Sequence, residues 1–194
     1  MAWDALAVST GVVALAEMGD KTQLLALLLA ARFRRPLPIV LGIVVATVLN
    51  HALAGAVGAW LSTVLNPELI RWGLGLAFLA MAGWLLIPDR IEEDEVRLAA
   101  RWGVFGTTAL AFFLAEMADK TQVATVALTV HYTAPVAVVV GTTLGMLMAD
   151  VPAVFVGDRL ARHVPMRLVH GIAALVFAVL GLATLFGLGE RWGF

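Results

Sequence analysis

The sequence predicts an all-α membrane protein: six transmembrane helices arranged as two three-helix repeats of inverted topology. Three observations predict it. Of the 194 residues 61% are hydrophobic, and the mean hydropathy is +0.94. A soluble domain of this size cannot bury that much apolar surface. A seven-residue string also occurs twice, as Glu17-Met18-Gly19-Asp20-Lys21-Thr22-Gln23 and as Glu116-Met117-Ala118-Asp119-Lys120-Thr121-Gln122, each time in the middle of a long apolar stretch. Finally, the arginines gather at breaks that alternate along the chain, as the two faces of a membrane do.

A helical span needs about 20 mostly apolar residues. Six stretches qualify: 5–31, 37–63, 69–87, 103–130, 135–157 and 167–188. No basic segment precedes the first, so Met1–Ala31 reads as a retained span and not as a signal peptide. The breaks are Arg32-Phe33-Arg34-Arg35-Pro36, Asn66-Pro67-Glu68, Pro88–Trp102, His131–Pro135 and Asp158–Met166, each polar or carrying proline. The long one holds Glu92-Glu93-Asp94-Glu95 and reads as a solvated cytoplasmic linker. The expected organisation is therefore a first repeat over 1–88, an acidic linker over 89–102 and a second repeat over 103–194.

Six spans put Arg32, Arg34, Arg35, Arg90, Arg97, Arg101, Arg159, Arg162 and Arg167 on one side and only Arg71 and Arg191 on the other. Basic loops face the cytoplasm, so both termini are expected outside it. The halves align without a gap at an offset of 99, pairing Glu17 with Glu116, Pro36 with Pro135, Gly42 with Gly141, Gly58 with Gly157, Leu61 with Leu160 and Phe78 with Phe177. Three spans per half is an odd number. The second half must then enter from the opposite side, the inverted-repeat plan of many secondary transporters, which place their substrate site near the midplane.

Both motifs fall at the centres of their stretches. A charge at that depth is costly and marks function. Read on a continuous helix, Glu17, Asp20 and Lys21 share one face, as do Glu116, Asp119 and Lys120. Lysines so deep need carboxylate partners. Each motif carries a net charge of −1, so a divalent cation neutralises the two together. Carboxylate oxygens from Glu17, Asp20, Glu116 and Asp119, amide oxygens from Gln23 and Gln122, and the hydroxyls of Thr22 and Thr121 favour Mn²⁺, Ca²⁺ or Mg²⁺ over softer metals.

The second and fifth spans add His51, which aligns with Asp150, and Asn50, which aligns with Ala149. Asp150 has no basic neighbour in sequence. Three roles stay open for it: a further ligand, a proton carrier, or a partner of Lys21 or Lys120. His51 reads as a proton or metal group or as a hydrogen-bonded packing residue. Asn50 reads as an amide ligand or a bridge between helices. The stripes Gly42-x3-Ala46 and Gly141-x3-Gly145 read as packing surfaces, and Pro152 as a kink that frees a carbonyl beside Asp150.

The net charge of −1 gives no footprint for nucleic acid. The chain has no cysteine, which excludes disulfides and thiolate metal sites. No resident cofactor is expected; the cation is substrate. A membrane enzyme acting on phosphate would want a deep arginine, and every arginine lies at a span boundary. A passive cation channel and an amino-acid exporter remain as alternatives. The expected partners are a divalent cation, protons and the lipid bilayer, with oligomerisation left open.

The paired E-x-G-D-K-T strings, three spans per half and acidic central linker resemble the transmembrane protein 165 family of cation/proton antiporters. The resemblance covers nearly the whole chain. It implies export of Mn²⁺, with Ca²⁺ second, in exchange for protons, across a bacterial inner membrane. It also implies that Glu17, Asp20, Glu116 and Asp119 form the cation path, completed by Lys21, Thr22, Lys120 and Thr121. Ala118 departs from the pattern, since glycine reaches backbone angles that alanine resists.

Overall fold

The computed structural model describes residues 2–87, 102–117, 119–156 and 166–187. Most of the acidic linker, Ala118, Gly157, Leu160 and the arginines 90, 97, 101, 159, 162 and 191 lie outside the described residues. Among the described residues the chain is all helical: α1 (Ala2–Glu17), α2 (Lys21–Phe33), α3 (Pro36–Val64), α4 (Pro67–Trp84), α5 (Gly103–Glu116), α6 (Lys120–Tyr132), α7 (Pro135–Val156) and α8 (Met166–Leu185). Three of them are long and apolar enough to cross a membrane: Pro36–Val64, Pro135–Phe155 and Leu168–Leu185.

The stretches 5–31 and 103–130, expected as continuous helices, are each interrupted at the motif. α1 stops at Glu17 and α2 starts at Lys21; α5 stops at Glu116 and α6 starts at Lys120. The cause in the first half is local. Gly19 has φ +82°, a conformation that glycine alone adopts without strain, and Asp20 is extended at the cap of α2. Asp119 is extended in the same way before α6. The shared helical face read from i, i+3, i+4 spacing is therefore not how the charged groups meet.

The next turns also match. Arg34 and Thr133, one at the end of α2 and one at the end of α6, are the two non-glycine residues with positive φ (53° and 48°) among those described. Each donates its N–H to a carbonyl four residues back, Ala30 and Thr129. Pro36 and Pro135 then open α3 and α7 with a ring preset for the first helical turn. Asn66 caps α4 by accepting a hydrogen bond from the Leu69 N–H at 2.8 Å.

Packing is crosswise between the halves. α1 lies chiefly on α7, α5 on α3, and α4 on α8. The glycine stripes permit the first two contacts, as the packing reading expected. A Cβ on Gly42 would sit 2.7 Å from Thr108 Cβ, and one on Gly141 would sit 2.7 Å from the Leu6 carbonyl oxygen. Two apolar clusters result. One joins the α1 arm to the α6 arm through Val12, Ala16, Ala124, Leu128 and Val138, and extends to Phe78 and Phe177. The other joins α2 to α5 through Leu25, Leu29, Ile39, Ile43, Phe112 and Ala115. Outward faces carry Leu and Val, with exposed Trp3, Trp60, Trp72 and Trp102 towards helix ends. That surface suits a lipid solvent with interfacial aromatic residues.

Candidate cation site

The two helix breaks bring the motif side chains together between the apolar clusters. Glu17, Asp20, Glu116, Asp119, Lys120 and Asp150 are all buried. Within each motif the threonine holds the glutamate: Thr22 Oγ1 donates to Glu17 Oε2 at 2.9 Å, and Thr121 Oγ1 to Glu116 Oε2 at 2.9 Å. Across the motifs the charges are exchanged. Lys120 Nζ lies 3.0 Å from Asp20 Oδ1, and Lys21 Nζ lies 3.7 Å from Asp119 Oδ1. The expected carboxylate partners of the lysines therefore exist, but each lies in the other half.

Glu17, Asp20 and Asp119 each offer a carboxylate oxygen, and these atoms lie within 4.8 Å of one another. Glu17 Oε1 and Glu116 Oε1 have no hydrogen-bond partner among the described residues. Several buried acids facing two ammonium groups need further positive charge, because uncompensated charge in low dielectric costs several kcal/mol per ion. A hard divalent cation or protons supply it. The oxygen-only donor set fits the first.

The two ion pairs are unequal. The Lys120–Asp20 pair is sealed, with side-chain exposures of 1% and 0%, whereas the Lys21 side chain is 21% exposed. Met117 is also turned outward, at 51% exposed, so it contributes no thioether to the cluster.

Asp150 lies close enough to Asp20, Glu17 and Glu116 to repel them. Neither of its oxygens has a hydrogen-bond partner among the described residues. His51, its counterpart in the first half, is 3.4 Å from Thr143 Oγ1 through Nδ1. The glutamines are engaged as braces. Gln23 Oε1 accepts from the Gly19 N–H at 2.9 Å, and its Nε2 donates to the Ala149 carbonyl at 2.9 Å. Gln122 Nε2 donates to Asn50 Oδ1 at 2.9 Å, and Asn50 Nδ2 donates to the Phe113 carbonyl at 3.2 Å.

Sequence reasoning passed over His170. Its Nε2 lies 2.7 Å from the Met18 carbonyl oxygen, so this nitrogen carries the proton and donates. The bond ties α8 to the first break. A histidine inside the last apolar stretch was the available signal. Thr47 was also missed; its hydroxyl donates to Met146 Sδ at 3.2 Å, and these two residues are 99 apart.

A protein-family model described as divalent cation/proton antiporter GDT1 matches residues 5–93 and 104–191. A Vibrio cholerae protein named "Putative manganese exporter" is 48% identical over 182 residues, covering 93% of this chain and 90% of its own. GDT1-like protein 3 of rice is 30% identical over 95% of this chain and 74% of its own. A GDT1-like protein of Synechocystis is 26% identical over 87% of this chain and 91% of its own. No solved structure matches.

Proposed function

This chain belongs to the GDT1 family of divalent cation/proton antiporters, as the paired motifs led one to expect, and we propose that it exports Mn²⁺, with Ca²⁺ as second substrate, in exchange for protons. The observation that carries the reading is the buried carboxylate cluster in which Glu17, Asp20 and Asp119 converge within 4.8 Å from both halves of the chain. Glu116 and Asp150 complete its acidic wall. The name of the 48% identical Vibrio protein supports manganese as the principal cargo.

In this reading the chain makes six membrane spans as two inverted repeats, 1–88 and 103–194 around the linker, with both termini outside the cytoplasm of a bacterial inner membrane. The first and fourth spans are the broken ones. Reciprocal contacts relate the halves by a two-fold axis, which the reading places in the membrane plane on the odd span count: Lys21 takes Asp119 while Lys120 takes Asp20, and Thr47–Met146 and Phe78–Phe177 are each a residue touching its own counterpart. Only residues on a two-fold axis between the halves can do that. The cation enters from the cytoplasm and is held by carboxylates. Protons arriving from outside then replace its charge, so that the acidic cavity closes empty of metal.

The test is uptake into inverted membrane vesicles of Mn²⁺, Ca²⁺ and Mg²⁺, with a pH dye inside. Mn²⁺ entry with proton exit in fixed ratio is expected. Mn²⁺ flux that neither drives nor responds to proton movement would point to a passive channel, and no flux of any of the three ions would remove the reading. An amino-acid exporter would show counterflow of a zwitterion in the same vesicles.

A further inference from the structure

The two breaks are braced by unlike devices, and the difference singles out one residue. In the first half Gln23 reaches the backbone carbonyl of Ala149 in α7. That carbonyl is next to the one at Met148, which Pro152, inside α7, leaves without its helical donor. The equivalent position in α3 is Leu53, which leaves the helix there unbroken. Gln122 instead meets a side chain, Asn50 Oδ1, at 2.9 Å. The counterpart of Asn50 is Ala149, which has no polar side-chain group to offer.

Asn50 is 1% exposed and makes a second bond. Its Nδ2 donates to the Phe113 carbonyl at 3.2 Å. In a continuous helix that carbonyl would accept from the N–H of residue 117, but the Met117 N–H turns to Leu114 at 3.2 Å as α5 ends. The break therefore leaves the Phe113 carbonyl short of its helical donor, and a buried carbonyl left so is costly. One amide thus satisfies the end of α5, one turn before Glu116, and grips the start of α6 through Gln122.

We propose that Asn50 is a positioning residue for the second half of the cation site: it clamps both arms of the α5–α6 break to α3 and so fixes where Glu116 and Asp119 stand. It does so through Phe113 and Gln122. The inference rests on the antiporter reading for its transport consequence and on hydrogen bonding alone for its structural one.

Two measurements on the full-length protein test it. Hydrogen exchange at residues 113–117 in Asn50→Ala should quicken relative to wild type, whatever the chain transports. Mn²⁺ exchange should slow about tenfold, the rate equivalent of one to two lost buried hydrogen bonds. Asn50→Ala/Gln122→Leu should be no slower than the slower single variant, because both changes break one clamp. Asn50→Ala/Gln23→Leu should multiply the two losses, because Gln23 is held by Ala149. If Asn50→Ala does not yield folded protein, Gln122→Leu opens the same clamp with position 50 intact and should show the same exchange pattern. Unchanged exchange at 113–117, or losses that multiply for Asn50 with Gln122, would overturn the proposal. A wild-type protein that moves no Mn²⁺ would overturn the antiporter reading and leave the exchange measurement to decide the clamp.

Discussion

Glu17 and Glu116 separate shape from charge. Each ends its helix, is fully buried, and accepts a threonine hydroxyl through one oxygen. A glutamine in either place keeps an oxygen for that hydroxyl, so Glu17→Gln and Glu116→Gln should fold. Both should lose Mn²⁺ transport, because the amide carries neither the charge that holds a cation nor a proton to exchange. Flux at wild-type rates in either variant, measured in the vesicle assay, would remove the glutamates from the path. His170 asks for a different kind of change. A carbonyl only accepts, so the ring bonds Met18 in either charge state as long as Nε2 keeps its proton. His170→Gln retains an N–H donor and should keep most of the rate, whereas His170→Leu should lose about 0.5–1.5 kcal/mol of stability for a bond of this kind. Thermal unfolding in detergent reads the difference; equal midpoints for the two variants would mean the bond carries no weight. The carboxylates, lysines and threonines were legible in the sequence because charge at that depth needs a reason. His170 was not, since nothing in the chain's linear order says that α8 reaches the first break.

The elements show where linear reading misled. Spacing of i, i+3, i+4 placed Glu17, Asp20 and Lys21 on one helical face, and the helix ends between them instead. The sequence signal for the break was Gly19 itself, at φ +82°. Apolar residues run straight through it, because both arms are buried, α1 in one apolar cluster and α2 in the other. The helix contacts, by contrast, were written in the small-residue stripes. Gly42 faces Thr108 Cβ and the Phe105 carbonyl oxygen at 2.7 and 2.9 Å from where a Cβ would stand, while the Gly73 position opens on empty space. Gly42→Ala should therefore force α3 away from α5 and destabilise by about 1–3 kcal/mol, the usual cost of overpacking. Gly73→Ala should instead be neutral or stabilise by up to about 1 kcal/mol through helix propensity. Unfolding midpoints compare them directly; a Gly42→Ala protein as stable as wild type would show that the contact is slack.

At the scale of the whole molecule, the composition announced a membrane and the offset of 99 announced a duplication, but neither says how one half is turned relative to the other. That rested on an odd span count and on arginines, many of which lie in segments outside those described. The turns offer a cleaner test. Arg34 and Thr133 are counterparts, both exposed, both in the left-handed conformation that ends the broken helix. In a parallel duplication they would lie on the same face of the membrane; in an inverted one they lie on opposite faces. The chain has no native cysteine, so single cysteines report without background. Arg34→Cys should react with an impermeant thiol reagent only from the cytoplasmic side, and Thr133→Cys only from the outside. Both should survive as folded protein, because each side chain points to solvent and the αL angle that each already tolerates costs a cysteine about as much as it costs the residue it replaces. Labelling of both from one side would cancel the inversion. The exchanged pairs Lys21–Asp119 and Lys120–Asp20 and the contact of Phe78 with its counterpart Phe177 would stand either way, because a two-fold axis along the membrane normal makes them as readily as one in the membrane plane, so the labelling alone decides between the two.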